Sequence, residues 1–197
     1  MKNWYPAAAV GTVLVLMLLS FASAPPSSHP AAVSFDGAVA RVRIDISERR
    51  LYLEENGEVA RSWPVAVGTR SHPTPRGSFG IRRVIWNPRW VPPDEEWAED
   101  EKPRAPGDPK NPMGRVKIFF RDPDYYIHGT IDGGSIGTAA SHGCVRMRNT
   151  DVVDLARRLM RHGGAPVEAG LIRRLINNVR QTREVRLARA IPVRVES

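Results

Sequence analysis

The sequence predicts a mainly β domain with a few helices, arranged as a sandwich or a barrel-like sheet. Apolar residues alternate with polar ones over short runs, a pattern that is typical of strands with one buried face. Turn-forming Gly, Pro and Asn residues separate these runs, and strand follows strand without the helical crossovers of a doubly wound sheet. With 42% hydrophobic and 25% charged residues, the chain can bury a core of this kind.

The strands are predicted in chain order from this alternation and from the turns between them. Val42, Ile44 and Ile46 alternate with charged residues and mark the first strand. Asn56-Gly57 predicts a hairpin turn between the next two strands, because both residue types tolerate a positive φ. The further strands are expected at residues 51–53, 59–67, 79–85, 116–120, 125–128, 185–187 and 191–195.

Two helices and two long loops complete the predicted domain. The first helix begins at Asn149-Thr150-Asp151, with Asn149 as an N-cap candidate and Asp151 as an acid in the first turn, and it ends at Gly163-Gly164. The second helix is expected at residues 169–180. Residues 86–114, rich in Trp and Pro, and residues 129–140, with four glycines, predict loops.

The N-terminal segment is expected to lie outside this domain. Residues 1–24 combine Lys2 with an apolar run and then small residues, which is typical of an export signal. The alternative is an uncleaved membrane anchor formed by residues 7–24, because a span needs roughly 20 apolar residues. Residues 25–38 predict a flexible linker, which leaves residues 39–197 as a domain exported to the periplasm or cell envelope.

The formal net charge of +8 predicts either anionic surroundings or simply a solvated basic surface. Nucleic-acid binding is not expected, because the aromatic residues are not interleaved with basic ones as stacking platforms. The acidic cluster at residues 94–101 is interpreted as solvated surface rather than as a metal site, and no metal or other cofactor is expected. We expect a monomer.

Cys144 is the only cysteine of the chain, and it predicts a nucleophilic thiol. It lies in the motif Ser141-His142-Gly143-Cys144-Val145-Arg146, and His128 lies sixteen residues upstream. A thiol reacts as its thiolate, which nearby positive charge favours. Either histidine could serve as the base. His128 is favoured, because a base that contacts the thiol from across the site fits better than one within the same tight loop. His142 could flank the same pocket, and the alternative is a structural hydrogen-bonding role.

The neighbours of Cys144 predict the rest of the site. The backbone N–H groups of Gly143 and Cys144 are candidate oxyanion donors, since glycine lets the chain approach a reacting carbonyl closely. Arg146 is placed to pair with a substrate carboxylate, unless it is a surface charge. Ser141 and Trp90 are predicted to bind substrate, and the alternative for Trp90 is that it anchors its loop to the core.

Two motifs in this chain resemble the signature of the L,D-transpeptidases, the YkuD-domain family. They are Ile127-His128-Gly129-Thr130 and the segment from Ser141 to Met147 that contains Cys144. The resemblance covers roughly residues 39–195 and includes the segments at residues 74–79, 87–90 and 111–114.

The resemblance implies a β-rich domain that acts on the stem peptides of peptidoglycan without a metal. Cys144 would attack the carbonyl of the third residue of a tetrapeptide donor and expel the terminal D-Ala. An amine would then take the acyl group from the thioester, giving a 3→3 cross-link. His128 would take the thiol proton, and His142 and Gly143 would support the oxyanion and position the substrate. Gly129 stands where some relatives have Ser, so a third partner of the Cys-His pair would be a backbone carbonyl.

Three other functions are compatible with the same residues. With water as the acceptor, the enzyme would be an L,D-carboxypeptidase. With His128, His142 and Cys144 as metal ligands, it would be a zinc hydrolase. With the fold kept and the chemistry lost, it would be a peptidoglycan-binding module.

Overall fold

The computed structural model describes residue 1 and residues 38–197 of the chain. The export signal or anchor predicted at residues 1–24 and the linker predicted at residues 25–38 therefore fall almost entirely outside the described residues. The domain predicted from residue 39 onward is described in full.

Residues 38–197 contain ten strands and two α-helices, so the prediction of a mainly β domain with a few helices is confirmed. The strands are β1 (Ala40–Asp45), β2 (Arg50–Glu55), β3 (Glu58–Pro64), β4 (Val67–Gly68), β5 (Gly77–Trp86), β6 (Val116–Arg121), β7 (Tyr125–Gly129), β8 (Ala139–Ser141), β9 (Val145–Met147) and β10 (Arg183–Glu196). The helices are α1 (Asn149–His162) and α2 (Ala169–Asn177). Neither of these helices, in the part of the chain that is described, could span a bilayer.

Eight strands form one mixed, barrel-like sheet in the order β3-β2-β1-β10-β5-β6-β7-β9. Strand β10 lies in the middle of this order, parallel to β1 and antiparallel to β5. Strand β7 pairs with β6 on one side and, in parallel, with β9 on the other. The two remaining strands, β4 and β8, pair with each other in a small second sheet.

The hydrophobic core lies between the sheet and helix α1. The inward-facing positions of the strands are fully buried, as the alternation in the sequence predicts. Helix α1 contributes one apolar stripe with the spacing of a helical face. The buried residues of this stripe are Val152, Leu155, Ala156, Leu159 and Met160. The indole N–H of Trp86 in β5 donates to the sulfur of Met160 at 3.3 Å, which ties the helix to the sheet.

Four elements differ from the expectation. The strand predicted at residues 59–67 ends at Pro64, which has no N–H to donate; beyond it, Ala66 pairs with Arg146 of β9, and Val67 and Gly68 pair with β8. The two predicted closing strands are one strand, β10, whose pairing with β5 is interrupted between Arg186 and Ile191. Strands β8 and β9 were not expected, because three residues are too few to show an alternation. The second helix ends at Asn177 rather than at residue 180.

The start of α1 is tied to β6 and β7 by Asn149, which is not the N-cap that the sequence predicts. Arg148 occupies the cap position, and Asn149 is the first helical residue. The Asn149 side-chain oxygen accepts a hydrogen bond from the N–H of Arg115 at 2.9 Å, and its amide donates to the carbonyl of Thr130 at 3.0 Å. Only a glycine at position 129 leaves room for this side chain, because a Cβ there would lie 2.2 Å from Asn149 Oδ1.

We expect Gly129→Ala to lower the free energy of unfolding by about 1–3 kcal/mol, because the added methyl group must push Asn149 out of its two hydrogen bonds. Denaturant unfolding at neutral pH measures the change. Gly133→Ala is the matched control, since a Cβ at that position would have no atom within 4 Å. Equal stability of the two variants would contradict this account of Gly129.

Candidate active site

The parallel pairing of β7 with β9 brings the two halves of the predicted site together. Ile127 pairs with Val145 and His128 pairs with Arg146. Because side chains alternate along strands, the fully buried Ile127 and Val145 face the core, whereas His128 and Arg146 lie on the opposite face. Continuing the register by one residue places Cys144 alongside Tyr126. Tyr126 lies two residues before His128 on β7, so both side chains are on the same face of the sheet.

His128 is 3% exposed, and a hydrogen bond to the backbone fixes its tautomer. Its Nδ1 lies 2.6 Å from the carbonyl oxygen of Gly129. A carbonyl can only accept, so Nδ1 carries the proton and Nε2 keeps a lone pair that can accept one. Burial, together with the positive charges of Arg146 and Lys117, lowers the pKa of His128 to about 3, although hydrogen bonds to the backbone of Gly129 and Pro112 act in the opposite direction. The imidazole is therefore neutral at physiological pH.

The Cys144 thiol lies among groups that act on its ionisation in opposite directions. Its sulfur is 3.6 Å from the backbone carbonyl oxygen of Asp124, to which the thiol can donate. Burial raises the pKa of Cys144, while hydrogen bonding from Tyr126 and the positive charges of Lys117 and Arg146 lower it. Burial and the nearby sulfur raise the pKa of Tyr126, so this hydroxyl stays protonated and can donate.

The turn before Cys144 is held by Ser141, which the sequence predicts to bind substrate. Ser141 is 1% exposed, and its hydroxyl donates to the carbonyl of Cys144 and accepts from the N–H of Gly143 at 3.2 Å. The side chain is thus enclosed within the turn, where it supports the loop, and its contact with substrate stays a prediction. The same bond occupies the Gly143 N–H, which we expected to be free for an oxyanion.

Gly143 is required by the backbone and by its surroundings. Its φ is +101°, a conformation that residues with a Cβ rarely adopt. A Cβ there would lie 2.8 Å from the Tyr125 ring and 3.3 Å from the carbonyl oxygen of Pro73. Glycine at this position therefore lets two separate segments close around the turn that carries Cys144.

His142 is exposed, and aromatic contacts hold its ring. It stacks on Trp97 with the ring centroids 4.0 Å apart and the planes 6° from parallel, and His72 meets it edge-on at 4.9 Å. Desolvation and the neighbouring charges of His72 and Arg146 lower the pKa of His142. The ring is thus part of a surface formed by three loops beside Cys144.

Trp90 is an anchor of the loop at residues 86–114 and does not line a groove. It is 6% exposed, and its backbone pairs in both directions with Arg104. Its burial and backbone pairing favour the alternative of a loop anchor, and the substrate-binding role stays a prediction. Trp97, 41% exposed, is the tryptophan beside the site. Its charged neighbours Glu96 and Glu99 are the signal in the sequence that could have indicated its exposure.

Arg146 and Lys117 supply positive charge on the face that carries Cys144. The Arg146 guanidinium is 3.9 Å from the carboxylate of Asp132, so its charge is partly engaged. Lys117 pairs with His128 across β6 and β7, which places it on the same face. Lys117 and Tyr126 were missed in the sequence, because no motif contains both and only the strand register brings them beside Cys144.

No group of three or more His, Cys, Asp or Glu residues within residues 38–197 is arranged to hold a metal ion. His128, His142 and Cys144, the ligands of the zinc alternative, therefore do not form such a set. The described geometry instead supports chemistry at the sulfur itself.

Comparisons with known proteins agree on one family. The model of the L,D-transpeptidase catalytic domain, YkuD, matches residues 40–170. The YkuD protein of Bacillus licheniformis, named as an L,D-transpeptidase, is 35% identical over 116 residues, which cover 59% of this chain and 58% of that protein. ErfK/SrfK of Salmonella typhimurium, also named as an L,D-transpeptidase, is 33% identical over 117 residues, 55% of this chain and 38% of that protein. The matched part thus spans little more than half of the first relative and less than half of the second.

Solved structures share the fold at low sequence identity. The catalytic domain of an Enterococcus faecium L,D-transpeptidase superposes with a TM-score of 0.50 at 16% identity, covering 80% of this chain and 97% of that one. L,D-transpeptidase 3 from Mycobacterium tuberculosis gives a TM-score of 0.50 at 14% identity, covering 81% and 61%. Since the family model spans residues 40–170 and thus most of the described domain, the chain belongs to the YkuD family of L,D-transpeptidase catalytic domains.

Proposed function

We propose that this chain is a cysteine-dependent L,D-transpeptidase that acts on peptidoglycan stem peptides. The observation that carries the proposal is the pairing of β7 with β9, which puts the only cysteine on the same face as a neutral, buried His128. A nucleophile and a neutral base on the same face of the sheet are the two groups that acyl transfer requires. We also propose that the protein is a monomer exported to the cell envelope, where such substrates lie; residues 1–24 would direct export, or residues 7–24 would anchor it.

In the first half-reaction, Cys144 attacks the carbonyl carbon of the third residue of a tetrapeptide donor. The thiol proton passes to Nε2 of His128, the atom left free by the bond from Nδ1 to Gly129. The Cys144 N–H is the first candidate donor to the oxyanion, because the Gly143 N–H is already donated to Ser141. The C–N bond then breaks, and the D-Ala amine leaves with the proton from His128.

In the second half-reaction, an amine attacks the thioester carbonyl and the sulfur leaves as the thiol. With the side-chain amine of a second stem peptide, the product is a 3→3 cross-link. Arg146 is proposed to pair with a substrate carboxylate, for which it would exchange its long contact with Asp132. His142, held flat by Trp97, is proposed to contact the donor.

Replacing the sulfur tests the proposal directly. We expect Cys144→Ala to abolish D-Ala release from tetrapeptide muropeptides, a loss of at least about 10³-fold, because no other side chain can form the acyl-enzyme. Mass spectrometry of the muropeptides measures it. Val59→Ala is the control, since Val59 is an exposed residue of β3. Undiminished release by the cysteine variant would refute the assignment.

The products of the unaltered protein separate the remaining candidates in the same assay. A cross-linked dimer with the mass of two stems less one D-Ala identifies the transpeptidase. A tripeptide without a dimer identifies the L,D-carboxypeptidase, and binding without any product identifies the non-catalytic module.

The low pKa of His128 gives a second expected outcome. The unfolded chain binds a proton at this residue near pH 6.5, whereas the folded protein does not until about pH 3. Above pH 6.5, His128 is neutral in both states and does not make the free energy of unfolding depend on pH. Below pH 6.5, only the unfolded chain binds the proton, so the free energy of unfolding falls by about 1.4 kcal/mol per pH unit as the pH drops toward 3. His128→Gln should remove this component and flatten the curve of unfolding free energy against pH. Parallel curves for the two proteins, from urea unfolding between pH 7 and pH 4, would contradict the burial of a neutral imidazole.

A further inference from the structure

Lys117 is a half-buried cation held between two aromatic rings on the face that carries Cys144. Its Nζ lies 3.7 Å from the ring centroid of Tyr126 and 4.8 Å from that of Phe119. Both distances are within the range in which a ring face attracts a cation. The strand register fixes the start of the side chain, because Lys117 pairs with His128 and Phe119 pairs with Tyr126.

This ammonium group lacks a carboxylate partner. The ion pairs within 4.0 Å that involve residues 38–197 do not include Lys117. Arg83, which shares the Phe119 ring with it, is paired with Asp122 and Glu184. Burial lowers the pKa of Lys117, and the nearby Cys144 sulfur raises it again. Among the charges that act on the pKa of Lys117, that of an ionised Cys144 sulfur has the largest effect.

The site needs a positive charge that His128 does not supply in the resting state. Its imidazole is neutral, so a charged sulfur cannot rely on it as a counter-ion. The other groups facing the sulfur are Tyr126 and the Asp124 carbonyl, which are neutral, and Arg146, which is partly paired with Asp132. Asp122 has the smallest effect among the charges that act on the pKa of Lys117, and its carboxylate is itself paired with Arg83.

We propose that Lys117 is a positioning residue whose ammonium group, caged by Tyr126 and Phe119, stabilises the ionised sulfur of Cys144. The inference rests on the proposed nucleophilic role of Cys144. Lys117 stabilises negative charge on the sulfur, while the same positive charge lowers the pKa of His128. The rings hold the cation in place by their faces and leave its charge uncompensated, which an aspartate or glutamate partner would not do.

The test is the rate of alkylation by iodoacetamide as a function of pH. The chain has one cysteine, so the modified fraction reports Cys144 alone. We expect Cys144 to be alkylated about tenfold more slowly at pH 7 in Lys117→Met, which keeps the apolar stem of the side chain. The midpoint of the curve of alkylation rate against pH should rise by about one pH unit. Lys117→Arg should restore the wild-type profile, because the charge returns. Lys102→Met, a change at an exposed loop lysine, should leave it unaltered.

If Lys117 had only a structural role, Lys117→Met and Lys117→Arg would both lower the stability of the protein, and their alkylation profiles would not differ according to charge. Thermal unfolding of each variant therefore accompanies the alkylation profiles, and Lys117→Gln serves as a second neutral variant if Lys117→Met does not fold. Coincident profiles for wild type and the neutral variant would overturn the role of Lys117 alone. Alkylation that leaves D-Ala release intact would instead reject the nucleophilic role of Cys144 itself.

Discussion

The parallel contact between β7 and β9 is the constraint on which the site depends. Strand β9 is only three residues long, yet it sets His128 opposite Arg146 and brings Cys144 alongside Tyr126. A slip of one residue would turn Cys144 toward the core and Val145 toward solvent. The register is secure because Val145 and Met147 are fully buried on the other face. Packing of the core thus fixes the position of Cys144, the proposed nucleophile, which lies outside it.

Burial has opposite consequences for the two reacting groups. It keeps His128 neutral, which leaves Nε2 free to accept a proton, and it also makes the charged sulfur of Cys144 unfavourable. Proton transfer from thiol to imidazole is therefore uphill unless other groups stabilise the products. The hydrogen bonds of Tyr126 and the cations on β6 and β9 act on the sulfur in that direction. The same two cations, Lys117 and Arg146, also lower the pKa of His128, so they stabilise the ionised sulfur but disfavour the imidazolium.

The sequence predicts the parts of this molecule that depend on local pattern, and it misses those that depend on register. Alternation predicts the long strands, and the paired motifs predict that Cys144 and His128 share a site, which the register of β7 and β9 places on one face. Ser141 and Trp90 were assigned to the substrate because residue type does not reveal burial, whereas the structure encloses both. Lys117 lies far from either motif along the chain. Its place beside Cys144 follows from the pairing of β6 with β7, which no single segment encodes.

The choice of acceptor must lie outside the Cys-His pair, because forming a thioester is the same step whether water or an amine follows. The groups that could distinguish acceptors are those on the exposed side of the catalytic turn. Trp97 is placed there by a loop whose other tryptophan, Trp90, is buried as an anchor, and it covers His142 face to face. An exposed ring gives a peptide an apolar surface against which to pack, whereas a water molecule gains nothing from it. The surface formed by Trp97 and His142 is therefore where the two proposed acceptors, a stem-peptide amine and water, would be distinguished.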